Sequence, residues 1–99
     1  MQFKDMLRRQ NQMGPAERPG PGRSIIIAEN EPAARTILCT QVSELGYVPL
    51  LAETGAAVIQ MAREYLPRLV IVSIELDAPD VLASLREDKQ TRQPPVMLI

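Results

Sequence analysis

Histidine is missing from these 99 residues, and cysteine occurs once, as Cys39. The first absence removes the commonest general base and the commonest metal ligand, and with them a Ser-His-Asp triad in its usual form. The second leaves Cys39 without a partner for an intrachain disulfide and rules out a cysteine-based zinc site. Aromatic residues number three, Phe3, Tyr47 and Tyr65, so the core has to be aliphatic. No apolar run approaches the roughly 20 residues that span a bilayer, and no secretory signal is visible. The expectation is a cytoplasmic protein with no membrane partner. A formal charge of −1 gives no global case for binding nucleic acid. Neither G-x-x-x-x-G-K-[ST] nor G-x-G-x-x-G occurs where a phosphate loop would need it. No enzymatic activity is expected.

What is present divides the chain unevenly. Residues 1–23 carry five basic and two acidic side chains, a net +3, whereas residues 24–99 carry six basic and ten acidic, a net −4. The first thirteen residues, MQFKDMLRRQNQM, can form a short amphipathic helix with Met1, Phe3, Met6 and Leu7 near one side. GPAERPGPG (14–22) follows, and this much Pro and Gly reads as a linker. Residues 1–23 are thus expected to be a flexible tail and linker, with a docking or targeting helix as the alternative reading of the first part. Residues 24–99 form a single domain, since the length allows no more than one.

From Ser24 the pattern alternates between short apolar runs and helical periodicity. Ile25–Ala28 is a strand. Pro32 then stands near the first position of a helix, with Asn30 or Glu31 as its cap. That helix, Pro32–Leu45, is expected to place Ala34, Ile37, Leu38, Val42 and Leu45 on one face and to stop at Gly46. Tyr47–Leu51 is a second strand, and Pro49 within it points to a sheet edge. Gly55–Leu66 is a helix with Val58, Met61, Ala62 and Tyr65 on one stripe, ended by Pro67. Leu69–Ile74 is an apolar third strand. A shorter helix, Asp80–Asp88, buries Val81, Leu82 and Leu85, and Pro95–Ile99 is strand-like. Alternation of this kind implies an α/β fold with a parallel sheet and right-handed crossovers. With the second strand at an edge, the order is 2-1-3-4.

In that order the winding reverses between the first and third strands, and ligands of such sheets sit at this switch point, beyond the carboxyl ends of the strands. Glu29 and Asn30 follow the first strand there, and Ser73 lies at the end of the third. Two readings stand: a turn and helix cap, or a weak divalent-cation site.

The stretches IIIAENEPAARTIL (25–38), ELGYVPLLAETGAAVIQMAREYLPRLVIVSIEL (44–76) and RQPPVML (92–98) resemble the receiver domain of bacterial response regulators, the CheY-like, flavodoxin-like family. The resemblance implies a doubly wound sheet, here about four strands and three helices. It implies that Glu29 and Asn30 align with the acidic pair that holds Mg²⁺ in the family, and Ser73 with the aspartate that accepts a phosphoryl group from a histidine kinase. Glu75 lies close by in the loop. A serine without a neighbouring base is a poor nucleophile, and Mg²⁺ favours carboxylates; among the three aligned positions only Glu29 is one. Asp77 stands where the family has a proline, and the third helix and its loop are about three residues short. The family's Thr or Ser after the fourth strand, the Lys after the fifth and the last two helices have no counterparts in these residues.

The resemblance therefore implies a pseudo-receiver of two-component phosphorelay signalling, with no cofactor or only weak Mg²⁺ binding through Glu29, Asn30, Ser73 and Glu75. Pro95, Val96, Met97, Leu98 and Ile99 would form an exposed sheet edge for a homodimer or a protein partner, a histidine kinase or another two-component protein included. The alternative is a fragment of a phosphorylatable regulator whose acceptor has moved to Asp77 or Asp80. In a further alternative the tail carries the function and the domain is only its carrier.

Overall fold

A computed structural model describes residues 19–76, 78–91 and 93–99. The helix expected within residues 1–13, the first part of the linker and Asp77 lie outside the described residues. The elements are β1 (Ser24–Ala28), α1 (Pro32–Glu44), β2 (Val48–Leu51), α2 (Gly55–Tyr65), β3 (Leu69–Val72), α3 (Ala78–Glu87) and β4 (Val96–Leu98). All strand pairs are parallel, in the order β2-β1-β3-β4. This is the α/β architecture and strand order expected from the sequence.

The run of isoleucines in β1 follows from its central place. A strand covered on both faces has no polar side to show, and Ile25, Ile26 and Ile27 are all buried. Alternate side chains go to opposite faces. Ile26 joins Leu50, Val58, Val70, Val72, Val81 and Leu85 beneath α2 and α3, while Ile25 and Ile27 join Cys39, Val42, Leu51 and Ile71 beneath α1. Pro49 pairs with Ile25 on edge strand β2. Because Val48 donates to Arg23, just before β1, and Ala52 to Ile27 within it, Pro49 lies on the outward side of the ladder, where its missing N–H interrupts nothing.

The helices show how local rules set the boundaries. Gly46, at φ 88°, ends α1, with its own N–H on the Ser43 carbonyl and that of Tyr47 on Val42, a left-handed C-terminal turn that suits glycine. Gly55 opens α2 where α3 comes closest: a Cβ at this position would stand 2.7 Å from Val81 Cγ2. Thr91 closes α3, its buried hydroxyl donating to the Leu85 carbonyl at 2.8 Å. Arg63 and Asp88 tie α2 to the end of α3 at 2.7 Å.

Three expectations need correction. α1 is rotated from the predicted face: Cys39 and Val42 point into the core, whereas Ile37 and Leu45 are exposed. At 100° per residue, Ile37 falls on the far side of the helix from Cys39. β3 stops at Val72, so Ser73 heads the following turn and Ile74 is exposed. α3 starts at Ala78, two residues early, because Pro79 is well suited to a first helical turn; Leu82 is only partly buried there.

Candidate functional site

The carboxyl ends of β1 and β3 adjoin, since Ala28 pairs with Val72 and the Ser73 N–H donates to the Ala28 carbonyl at 2.9 Å. The topology thus brings the β1–α1 loop, with Glu29 and Asn30, beside the β3–α3 loop, with Ser73 and Glu75. What the side chains do there is a matter of hydrogen bonding within each loop.

Glu29 is buried, and its Oε1 accepts the Glu31 N–H at 2.8 Å. A buried carboxylate needs donors, and it finds one two residues along its own chain. Glu31 is the N-cap of α1, with extended backbone angles. Its two oxygens accept from Ala34 at 2.7 Å and Ala33 at 3.2 Å, two of the helix N–H groups that have no partner inside the helix. These bonds, Ala34 first, hold the Glu31 carboxyl below the usual glutamate range. Asn30 is exposed and donates from Nδ2 to the Glu53 carbonyl at 3.3 Å, tying the β1–α1 loop to the β2–α2 loop. Its own carbonyl accepts from Arg35.

Ser73 is 5% exposed. Its Oγ accepts the Glu75 N–H at 3.3 Å and its carbonyl the Leu76 N–H at 3.0 Å. The serine thus organises a tight turn directly after β3. Glu75 contributes its backbone to that turn while its side chain is exposed. Among the described residues no group of three or more His, Cys, Asp or Glu side chains could hold a metal ion. Asp80, the described alternative acceptor, stands exposed in the first turn of α3.

The comparisons with known proteins bear on the fold. The N-terminal domain of a response regulator receiver protein from Methanoculleus marisnigri JR1 superimposes with a TM-score of 0.69 and 23% sequence identity, over 76% of this chain and 63% of that one. The chain has a receiver fold. It spans less than two thirds of that domain's length, and at this identity the likeness is one of architecture. No protein-family model matches the sequence, and no curated protein does.

In a sheet of this order the switch point is between β1 and β3, and it is here that Glu29 and Ser73 stand. Sequence reasoning named these positions and offered a turn and helix cap as one reading of them, but not the individual partners. The double cap by Glu31 was legible only as an alternative to Asn30, because glutamate is not among the favoured N-caps. The bond from Asn30 to the Glu53 carbonyl left no signal in the sequence. A groove of about 460 Å³ at the opposite, amino end of the strands, lined in part by Leu66, Pro67, Arg68 and Pro94, was not foreseen either.

β4 is an outer strand, with Met97, Leu98 and Ile99 exposed and Val96 and Pro95 flanking them. No described helix is long and apolar enough to cross a membrane.

Proposed function

We propose that this chain is a pseudo-receiver: a receiver-fold module of two-component phosphorelay signalling that works through protein–protein contact and is not phosphorylated. The observation that carries it is the state of Ser73. Forming an acyl phosphate needs a carboxylate at the end of β3. The side chain there is a hydroxyl, almost wholly buried, whose oxygen already accepts the Glu75 N–H. With no histidine in the chain, no imidazole stands ready to take its proton.

The metal side of the pocket supports the same reading. Mg²⁺ asks for near-octahedral oxygen coordination and is commonly held through one or two carboxylates. Of the four candidate positions, Glu29 uses one oxygen on the Glu31 N–H and Asn30 turns its amide toward Glu53. Ser73 is held within its own loop, and Glu75 is exposed. This donor set does not fit the metal. Nor does geometry favour Asp80, which sits beyond the strand end in the first turn of α3. With the switch point given over to turns and caps, partner contact falls to the exposed apolar side chains elsewhere on the domain, among them Met97, Leu98 and Ile99 in Pro95–Ile99.

Incubation with acetyl phosphate and Mg²⁺, followed by intact mass measurement, tests the reading. No change in mass is expected. A labile gain of one phosphoryl group would refute it, and peptide mapping would show whether Asp77, Asp80 or Ser73 had received it.

A further inference from the structure

We infer that the groove at the amino end of the strands binds a short acidic segment of a protein partner, with an apolar side chain at Leu66 and a carboxylate at Arg68. The inference rests on the interaction reading above and names the partner's chemistry. The groove, of about 460 Å³, lies between two connections inside the chain. Leu66 and Arg68 belong to the α2–β3 loop, and Gln90, Gln93 and Pro94 to the α3–β4 loop. Hydrogen bonds fix both walls. Gly22 donates to the Leu66 carbonyl at 2.9 Å, and the Arg68 N–H to Ser24 at 2.8 Å. Opposite, the Gln90 N–H donates to Asp88 Oδ1 at 2.8 Å, and the Pro94 carbonyl accepts from Arg86 at 3.3 Å. A groove ordered beforehand loses little conformational freedom on binding.

Leu66 is the residue that points to a ligand. It ends α2 in left-handed backbone at φ 48°, and it is the one described residue other than glycine with a positive φ. Glycine is the usual occupant of such a helix end, and a residue before proline is ordinarily pushed to extended angles. Leucine is therefore held here against its backbone preference, and strain of this kind clusters at ligand sites. Burial does not account for it, since Leu66 stays 40% exposed on the groove wall.

Charge selects the occupant. Residues 24–99 carry six basic against ten acidic side chains, yet the described groove lining holds one charged side chain, that of Arg68, and no carboxylate. A guanidinium takes a carboxylate through two parallel N–H bonds. Gln90 and Gln93 are exposed, and each amide can both donate to and accept from a peptide backbone. Leu66, Pro67 and Pro94 supply the apolar surface. A lysine-rich segment would meet like charge at Arg68, so the groove discriminates by sign.

The test titrates the 15N-labelled chain with short capped peptides that hold Glu beside Leu or Phe, and with the same peptides carrying Lys for Glu. With the acidic peptides, amide shifts should gather at Gly22, Leu66, Arg68, Gln90 and Gln93 and leave Asn30 and Ser73 unmoved. The lysine peptides should cause none up to millimolar concentration. Arg68→Glu should weaken acidic-peptide binding at least tenfold while circular dichroism stays unchanged. Leu66→Gly should weaken it as much without lowering the denaturant midpoint, because glycine suits the backbone there. Should Leu66→Gly fail to fold, Leu66→Asn, which also tolerates left-handed angles, carries the same expectation. Absence of shifts at millimolar peptide, shifts centred elsewhere, equal binding of the lysine peptides, or a variant that binds like the parent would overturn the inference. A chain that binds no acidic peptide and takes no phosphoryl group leaves the pseudo-receiver reading standing with its partner at another surface. A chain that binds the peptide and also takes a phosphoryl group leaves the groove standing and ends that reading.

Discussion

The two faces of the sheet are built from the same kinds of side chain and are closed to different degrees. Beneath α2 and α3, eleven buried residues form one cluster, with seven more apolar residues packed around them. Beneath α1 the cluster has six buried members and three around them. One helix covers β1 and β2 and reaches Ile71, but Met97 and Ile99, on the same face of β4, stay exposed. The lesson is that burial follows from which helices lie over a strand, not from the strand's own hydrophobicity. β4 is as apolar as β3 and far more open.

The largest test of this contrast is to cut one side chain on the closed face and one on the outer side of α1. Leu85 is fully buried among α3, α2 and the sheet. Leu85→Ala should destabilise by about 3 kcal/mol, lowering the melting temperature by at least 10 °C or so in a domain of this size. Ile37→Ser, on α1 but facing outward, should stay within about 0.5 kcal/mol of the parent. Denaturant melts of the two variants decide it. Equal losses would mean that Ile37 is packed in the folded protein and that α1 does not turn this side to solvent.

A medium effect is expected at the seam between α2 and α3. Alanine is ordinarily the better helix residue, by close to 1 kcal/mol over glycine. At Gly55 the new Cβ would fall 2.7 Å from the buried Val81 Cγ2, and overpacking of that kind costs typically 1–3 kcal/mol. Gly55→Ala should therefore destabilise despite the propensity gain. In a Val81→Ala background the same change should be neutral or favourable, a coupling that a double-mutant cycle reads directly. Additive losses would show that the closeness of the helices is not what requires glycine.

How far the sequence reveals these features depends on the range of the interactions involved. Strand order and edge followed from local signals, namely alternation, Pro49, and Gly46 after a helical run. The switch-point residues followed from topology. The rotation of α1 did not, because a stripe of Ala34, Ile37, Leu38, Val42 and Leu45 fits helical periodicity well, and only the narrow surface offered by β1 and β2 selects Cys39 beside Val42 and leaves Ile37 and Leu45 exposed. Ser24 shows the same limit. It opens β1 fully buried, with no group among the described residues bonded to its hydroxyl, which no pattern of neighbours in the chain announces. At the candidate site, residue types told which positions mattered. Their chemistry was settled by backbone donors two residues away, at the Glu31 N–H for Glu29 and the Glu75 N–H for Ser73.

The smallest effect concerns how the single helix over the more open face is started. Glu31 is fully exposed, and its carboxylate accepts the Ala34 and Ala33 N–H groups, which lowers its pKa in the folded state. A carboxyl with a depressed folded pKa contributes stability that is fully present above its unfolded pKa and is lost as pH falls through the folded value. Glu31→Gln keeps the shape but not the charge at the helix N-terminus, where a negative charge is favoured. The variant should melt slightly below the parent at neutral pH, and the gap should close on acidification to below the ordinary glutamate range. Asp88 shares the sign, since the Gln90 N–H and then Arg63 lower its pKa. It must therefore be kept intact in both proteins so that its titration cancels. No gap at neutral pH would show that Glu31 acts through its shape alone, and that the start of α1 is held by geometry and not by charge.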